Sequence, residues 1–548
     1  MPSVTEKQAV SGHESVESVE SSYNTPSQPK TTFILDDVEA NSDDHDELTL
    51  KRTVSRNPPH PLCARCKHGL RTDEGQPCEA HDGFDLDPNI VTWESDADPE
   101  RPLNWSMRRK IAFTAVASAG VAGVSISSSI FGPATHTTAR EFGVGVEVMN
   151  LAITFHILGF ALGPLIFGPL SEVFGRAIPF WTGLVGLGVF QIPQALAGNV
   201  RTILVCRFFE GTFGSAIFAV VSGMFVDIWP PITRGVALGL SATSINLGST
   251  LAPIFSGFVV HHIGWRWTAW LTLIYCALVG FFGLFTIRES FEPVLLARRA
   301  KRLRFETQNW ALHAKFEETP VDVKVLLHKY LTKPVRMFFQ EPILIVLTAY
   351  MTLVYGILYL SYQAIPFSFQ QRGWSAAVSE LPFIAVVLGI VSAWGLFSLF
   401  TMTWYQKRWV RNKSAPPEYR LPPMILGSLI LPPSLWWFGW SQYTHWASQV
   451  IAAFFIGLSL LLIFDAGIVY LVDVYLQNAN SAMSIHVVVR SIIASSFPLW
   501  AGPMYTDLGT PWASTVLGFA CLVMVLAPLI FWKFGAKIRS WSRFSFAQ

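Results

Sequence analysis

Uninterrupted apolar blocks of about twenty residues recur along this chain, and no other feature limits its fold so tightly. They fall near 111–134, 147–168, 177–198, 202–226, 235–260, 267–287, 341–365, 379–400, 421–440, 447–472, 481–503 and 512–534. A helix needs about 20 residues to cross roughly 30 Å of hydrocarbon. Inside hydrocarbon the backbone N–H and C=O groups must be satisfied within the segment, so each block predicts a membrane-spanning α-helix. Composition agrees, because 51% of the 548 residues are hydrophobic and 14% are charged, which excludes a string of soluble cores. The spacing gives about twelve spans, divided six and six around a polar connection at 288–340. The expected domains are a disordered cytosolic tail (1–105), a six-helix bundle (106–287), the cytosolic central loop (288–340), a second bundle (341–534) and a short cytosolic tail (535–548).

No apolar segment precedes residue 110, so no cleavable signal peptide is expected and the amino-terminal tail should remain cytosolic. Lys and Arg distribution tests this, since basic residues near span ends stay in the cytoplasm. Arg101, Arg108, Arg109, Lys110, Arg176 and Arg234 fall at predicted inner ends, as do many in the central loop, Lys407, Arg408 and Arg411 further on, and Lys533, Lys537 and Arg539 at the end. The predicted outer loops hold only Arg140, Arg201, Arg266 and Arg372. Aromatic runs at 265–267 and 436–440 fall at outer span ends, where amphipathic rings favour the headgroup level. The net charge of +2 therefore reflects topology, and nucleic acid is not an expected partner. The expected location is the plasma membrane with both termini cytosolic, with the vacuolar membrane as the alternative.

Residues 1–60 are rich in Ser, Glu, Asp and Pro and carry too little apolar surface to offset the entropy of ordering, so they are expected to be disordered. Cys63, Cys66, Cys78 and His81 follow at spacings that can close a tetrahedral zinc site. The plainer alternative is three reduced thiols and a stray His. Cys206, Cys276 and Cys521 lie in spans and read as small apolar packing residues. The stretch 297–318 has enough helix formers for one or two amphipathic helices near anionic headgroups.

Five stretches carry chemistry. Phe225-Val-Asp227-Ile-Trp229 and Leu471-Val-Asp473-Val-Tyr475 each end a span on its inner side, six spans apart, which suggests two parallel repeats. Gly168-Pro-Leu-Ser-Glu172-Val-Phe-Gly175-Arg176 permits a tight turn in which Glu172 and Arg176 can pair with each other, with Asp227 or with a helix end. Within the fourth span Arg207 and Glu210 share one helical face, and a charge in a span costs at least about 2.5 kcal/mol, so both should face a cavity or a partner. In the fifth span Gly239, Gly248, Ala252, Pro253, Ser256 and Gly257 place small residues for close helix approach beside a proline that bends the helix.

Together these stretches resemble the major facilitator superfamily, and within it the twelve-span drug:proton antiporters of fungi, a family of polyamine and multidrug exporters. The resemblance covers nearly all of 100–535. It departs from the family pattern at Glu172, where Asp is usual, and at Ala252 and Ser256, where Gly is usual. It implies an all-α membrane protein with two pseudo-symmetric six-helix bundles. It further implies a latch at Gly168, Glu172, Gly175, Arg176 and Asp227 that holds the outward-facing state, and export signalled by the fifth-helix motif.

On this reading the chain is not an enzyme: no nucleophile–base set, phosphate loop or cofactor fingerprint occurs, and a proton gradient supplies the energy. The carboxylates and their modulators available for coupling are Arg207, Glu210, Asp465 and Asp473, with Asp465 alternatively a partner of Arg490. Tyr355, Tyr359 and Tyr362 share a helical face with Gln363 beside them, and with Asn246 and Arg490 they are the candidate substrate contacts; aromatic packing is the competing reading. The expected activity is proton-coupled export of drugs, toxic secondary metabolites or polyamines by a monomer. Proton symport for uptake and a non-transporting sensor signalling through the tail are the alternatives.

Overall fold

A computed structural model describes residues 87, 89–318, 331–412, 416–475, 478–542 and 544. The possible Cys63, Cys66, Cys78 and His81 metal knuckle lies outside the described residues. Within them the chain is helical, and the only pairing of extended backbone is an isolated bridge between Ile90 and His313.

Six long helices form the first half: α1 Met107–Ser129, α2 Val146–Val173, α3 Ala177–Ala195, α4 Val200–Ile228, α5 Pro231–His262 and α6 Arg266–Thr286. The second half starts with α7 Pro342–Gln370, α8 Phe383–Phe400, α9 Pro422–Trp440 and α10 Trp446–Tyr475. α11 (479–508) joins Ala479–Ala494 to the first part of Phe497–Met524, and α12 (510–539) joins the remainder to Leu526–Arg539. The break between them is Gly509, whose φ of 71° and ψ of 160° only glycine adopts readily. Successive helices alternate in direction, so the starts of α1 and α7 and the end of α12 share one face, the tail face; the opposite one is the far face.

The halves repeat one packing device. At Gly159 of α2 and Gly211 of α4 an added Cβ would lie 2.6 Å from Phe208 O and 2.1 Å from His156 O, so the two backbones touch. Gly389 of α8 and Gly457 of α10 do the same, at 2.2 Å from Phe454 O and 2.4 Å from Val386 O. Small residues give such crossings their dispersion contact where lipid supplies no hydrophobic drive. The second and fourth helices of each half are thereby locked as a pair.

Helix α5 belongs to both halves. It packs on α1 within its own half and on α8 and α10 of the other. Its bend explains its grip on α1. Pro253 has no N–H, which leaves the carbonyl of Ser249 without its helical donor, and Ser129 Oγ of α1 donates to that oxygen at 2.7 Å. One turn on, Ser256 Oγ donates to Ile130 O. On the tail side of both bonds, an added Cβ at Gly248 would lie 2.5 Å from Ala122 O. Ser256, expected as a slightly oversized stand-in for glycine, is therefore a tether.

The residues before α1 depart from expectation. Residues 89–105 fall in the tail expected to be disordered, yet they pack against the central loop. Val91 N donates to His313 O at 2.8 Å, Trp93 Nε1 donates to Glu292, and Arg299 Nη1 of the central helix Glu292–Thr307 donates to Asp98 at 2.7 Å. Val91, Ala300 and Ala314 form a small core beneath them. Trp93 and Val91 supply the apolar surface that 1–60 lacks. α8 also runs on past 400, through Thr401–Tyr405 into Gln406–Asn412, so Lys407, Arg408 and Arg411 sit on helix and not in a loop.

The α1–α5 contact yields a direct test. Gly248→Ala should cost about 1–3 kcal/mol as overpacking and lower the thermal unfolding midpoint of the purified protein. Gly395→Ala on α8, where an added Cβ meets nothing within 4 Å, should leave the midpoint unchanged or raise it.

Candidate functional site

Between the halves a cavity of about 880 Å³ is lined by the far-face ends of α1, α2, α5, α7 and α11 and the segments joining them. Tyr359, Tyr362 and Gln363 of α7 enter its wall, together with Asn150, Phe367, Gln370 and Tyr505. Tyr359 and Tyr362 stand edge to face, centroids 5.6 Å apart, and so offer ring surface to one ligand. Of the expected substrate contacts, Tyr355, Asn246 and Arg490 are not in the lining. Asn246 instead donates to Ala242 O of its own helix.

Behind the cavity a polar chain crosses from one half to the other. Arg207 and Glu210 are both fully buried and pair at 3.2 Å. Arg207 Nη1 also donates to Ser127 O (2.6 Å), and Ser127 Oγ donates to Glu210 Oε2 (3.4 Å). His156 Nδ1 lies 3.8 Å from the same carboxylate oxygen, and the Gln194 amide, turned to suit both partners, donates to it at 3.1 Å. On the next residue of α1, Ser128 Oγ accepts from Tyr359 OH (3.3 Å), which stands 3.3 Å from Tyr355 OH. Arg490 of α11 ends the chain, stacked 4.4 Å over the Tyr355 ring and 5.0 Å over Phe464. The Arg207–Glu210 pair thus contacts the cavity wall through Ser127, Ser128 and Tyr359.

Two carboxylates of the second half have no such partners. Both oxygens of Asp465 on α10 lack a hydrogen-bond donor among the described residues, and Arg490 makes no ion pair with it, so the Asp465–Arg490 alternative does not match the geometry. Asp465 Oδ2 instead lies 3.6 Å from where a Cβ would stand on Gly239. Glu380, at the start of the eighth crossing, lines the cavity with Oε2 lacking a partner among the described residues, and its Cγ sits 2.8 Å from the corresponding point on Gly257. The outermost glycines of the fifth-helix motif therefore each face a buried acid. Sequence reading missed Glu380 because, as the second residue of the 379–400 block, it reads there as a charge at the span's water interface; the signal was its place inside that block.

The tail face carries matched locks, one set in each half. Arg176 Nε lies 3.5 Å from Asp227, and its Nη1 donates to Ser171 Oγ at 2.8 Å. Glu289, after α6, accepts from the backbone N–H groups of Arg176 (2.8 Å) and Ala177 (3.2 Å). Gly175, with φ of 91°, lies so close to Glu289 that no side chain fits. In the second half Arg420 Nε donates to Asp473 at 2.9 Å, and Arg539 of α12 binds Glu418 through two nitrogens, at 2.8 and 3.0 Å. Both arginines follow the second helix of a half and both aspartates end the fourth. Asp473, expected among the coupling residues, thus stands in a lock. Gly168 ends its turn by accepting from Ser171 Oγ (2.7 Å). Arg420 also reaches across, 3.3 Å from where a Cβ would stand on Gly235 of α5.

Comparisons with known proteins agree with this geometry. The family model described as Major Facilitator Superfamily matches residues 117–498. The chain is 42% identical over 465 residues to the citrinin biosynthesis cluster MFS transporter of Monascus ruber, covering 84% of this chain and 93% of that protein. It is 42% identical to the ascochitine biosynthesis cluster MFS transporter of Didymella fabae (85% and 91% covered) and 37% identical to an efflux pump of Gibberella fujikuroi (83% and 95%). Among solved structures, a proton:xylose symporter of the major facilitator superfamily superposes with a TM-score of 0.57 at 18% identity, covering 78% of this chain and 96% of that one, a likeness of fold.

The repeated locks predict equal sensitivity. Each lock joins a buried arginine to a partly exposed aspartate, so Arg176→Gln and Arg420→Gln should each lower transport by about tenfold at near-normal protein amount. Arg411→Gln, exposed on the tail face, should leave flux unchanged in the same cells.

Proposed function

This chain belongs to the major facilitator superfamily, whose members are membrane transporters and not enzymes, and we propose that it exports a secondary metabolite in exchange for protons. The observation that carries the reading is the cavity between the halves at the far face, set against paired Arg–Asp locks at the tail face. With the termini in the cytosol, as the basic residues favour, this is an outward-facing shape from which cargo leaves. Relatives named for biosynthesis clusters and for efflux support a dedicated metabolite over a polyamine.

The cargo is a small amphipathic compound with a flat ring. Tyr359 and Tyr362 stack it, while Gln363, Gln370 and Asn150 meet its polar edge. Protons act at the buried acids. Glu210, held by Arg207, touches the cavity through Ser127, Ser128 and Tyr359, so its charge state biases the wall where cargo binds. Asp465 and Glu380, each against a glycine of α5, have no cationic partner among the described residues, and a proton is the smallest group that supplies one. Protonation on one side and release on the other then moves α5 relative to the second half, which is alternating access. The gradient is the energy source, no organic cofactor takes part, and one chain is the working unit, in the plasma membrane.

In inside-out vesicles, export predicts that a labelled metabolite accumulates when the lumen is acidic, whereas uptake by symport predicts accumulation only with the opposite gradient. Glu210→Gln and Asp465→Asn should each reduce gradient-driven accumulation severalfold more than they reduce protein amount. Wild-type flux in both variants would remove both residues from coupling.

A further inference from the structure

The tail-face ends of α1 and α6 enclose a second cleft, of about 320 Å³, lined by Arg109, Ala112, Phe285, Thr286 and Arg288. Two cations share its small wall. Among the described residues neither Arg109 nor Arg288 forms an ion pair, and the two repel each other. The neighbouring acids are committed elsewhere: Glu289 accepts from the backbone of Arg176 and Ala177, and Glu292 accepts from Trp93. Arg109 is held in place, its guanidinium stacked 3.8 Å over the Trp105 ring. Thr286 spends its hydroxyl hydrogen on Phe282 O (2.9 Å), so the donors facing the cleft are the two guanidinium groups.

The position selects the ligand. Arg109 lies in the first turn of α1 and Arg288 two residues past the end of α6, at the level where the apolar span meets water. Arg109 also stands at the positive end of its helix dipole, an unfavourable site for a cation that an anion would relieve. Phe285 is largely exposed, as is Leu284 beside it, so the cleft opens sideways onto the surface that faces acyl chains. Paired guanidinium groups match phosphate oxygens in geometry and charge, and inner-leaflet headgroups are a concentrated source of phosphate.

We propose that this cleft binds the phosphate of an anionic phospholipid between Arg109 and Arg288, with an acyl chain lying along Ala112 and Phe285. The lipid bridges the first and last helices of the first half. Its binding is independent of which cargo the protein carries.

The test uses purified full-length protein in detergent, titrated with dioctanoyl phosphatidylinositol, dioctanoyl phosphatidylcholine or inorganic phosphate, with binding read by thermophoresis. Phosphatidylinositol should bind at least about tenfold more tightly than phosphatidylcholine, and raising salt from low to about 0.5 M should weaken it. Arg109→Gln and Arg288→Gln should each lose about tenfold in affinity, while Arg288→Lys, which keeps the charge, should lose less. The Lys variant and the salt series decide the matter if a Gln variant proves unstable. Equal binding of the two lipids, or salt-insensitive binding, would overturn the proposal. Inorganic phosphate binding as tightly as phosphatidylinositol would overturn the lipid assignment, because the acyl wall would then contribute nothing.

Discussion

The structure depends on how α5 is held. A proline in a membrane helix leaves a carbonyl with no donor, and hydrocarbon offers no water to take its place. Here Ser129 of α1 satisfies Ser249 O, and Ser256 returns a second bond to Ile130 O. Gly248 lets the two backbones meet on the tail side of both bonds. Helix α5 is thereby fixed to its own half. Its other side, at Gly239 and Gly257, meets Asp465 and Glu380 of the second half with only van der Waals contact. One side is bonded and the other can slide, an asymmetry suited to a helix that belongs to one rigid half and moves against the next.

The tail-face locks fit this division. Arg176–Asp227 and Arg420–Asp473 each close a turn within one half, so each stiffens its own bundle. Arg420 also reaches Gly235 on α5, which places one lock at the seam. Because the locks repeat, along with the Gly159–Gly211 and Gly389–Gly457 crossings, each half can move as a body with its internal packing unchanged.

Much of this was legible in the residues. Span count followed from block length, since a bilayer admits few alternatives. The Asp227–Asp473 repeat was visible because both sit in short β-branched runs. Arg420, its lock partner, was hidden in a Pro-rich loop that bears no likeness to the turn around Arg176. The pairing is a fact of three-dimensional symmetry that the local pattern does not carry. Tyr359 and Tyr362 were correctly grouped by helical spacing, yet spacing says nothing of depth, and Tyr355 lies behind the cavity with Arg490 stacked on it. Ser256 read as a substitute for glycine because the partner carbonyl, Ile130 O, lies 126 residues away in sequence.

The central claim is that α5 travels with α1 and slides past α8 and α10. Distances between paired spin labels test it most directly, in the wild type and after Asp227→Asn with Asp473→Asn removes both locks. Labels at Arg108 and Lys407, on the tail ends of α1 and the α8 extension, should move apart, and labels at His262 and Gln371 on the far face should draw together. Labels at Arg108 and Thr233, on α1 and α5, should keep their separation. A change between Arg108 and Thr233 as large as that between Arg108 and Lys407 would show that α5 leaves its own half, and the account would be wrong.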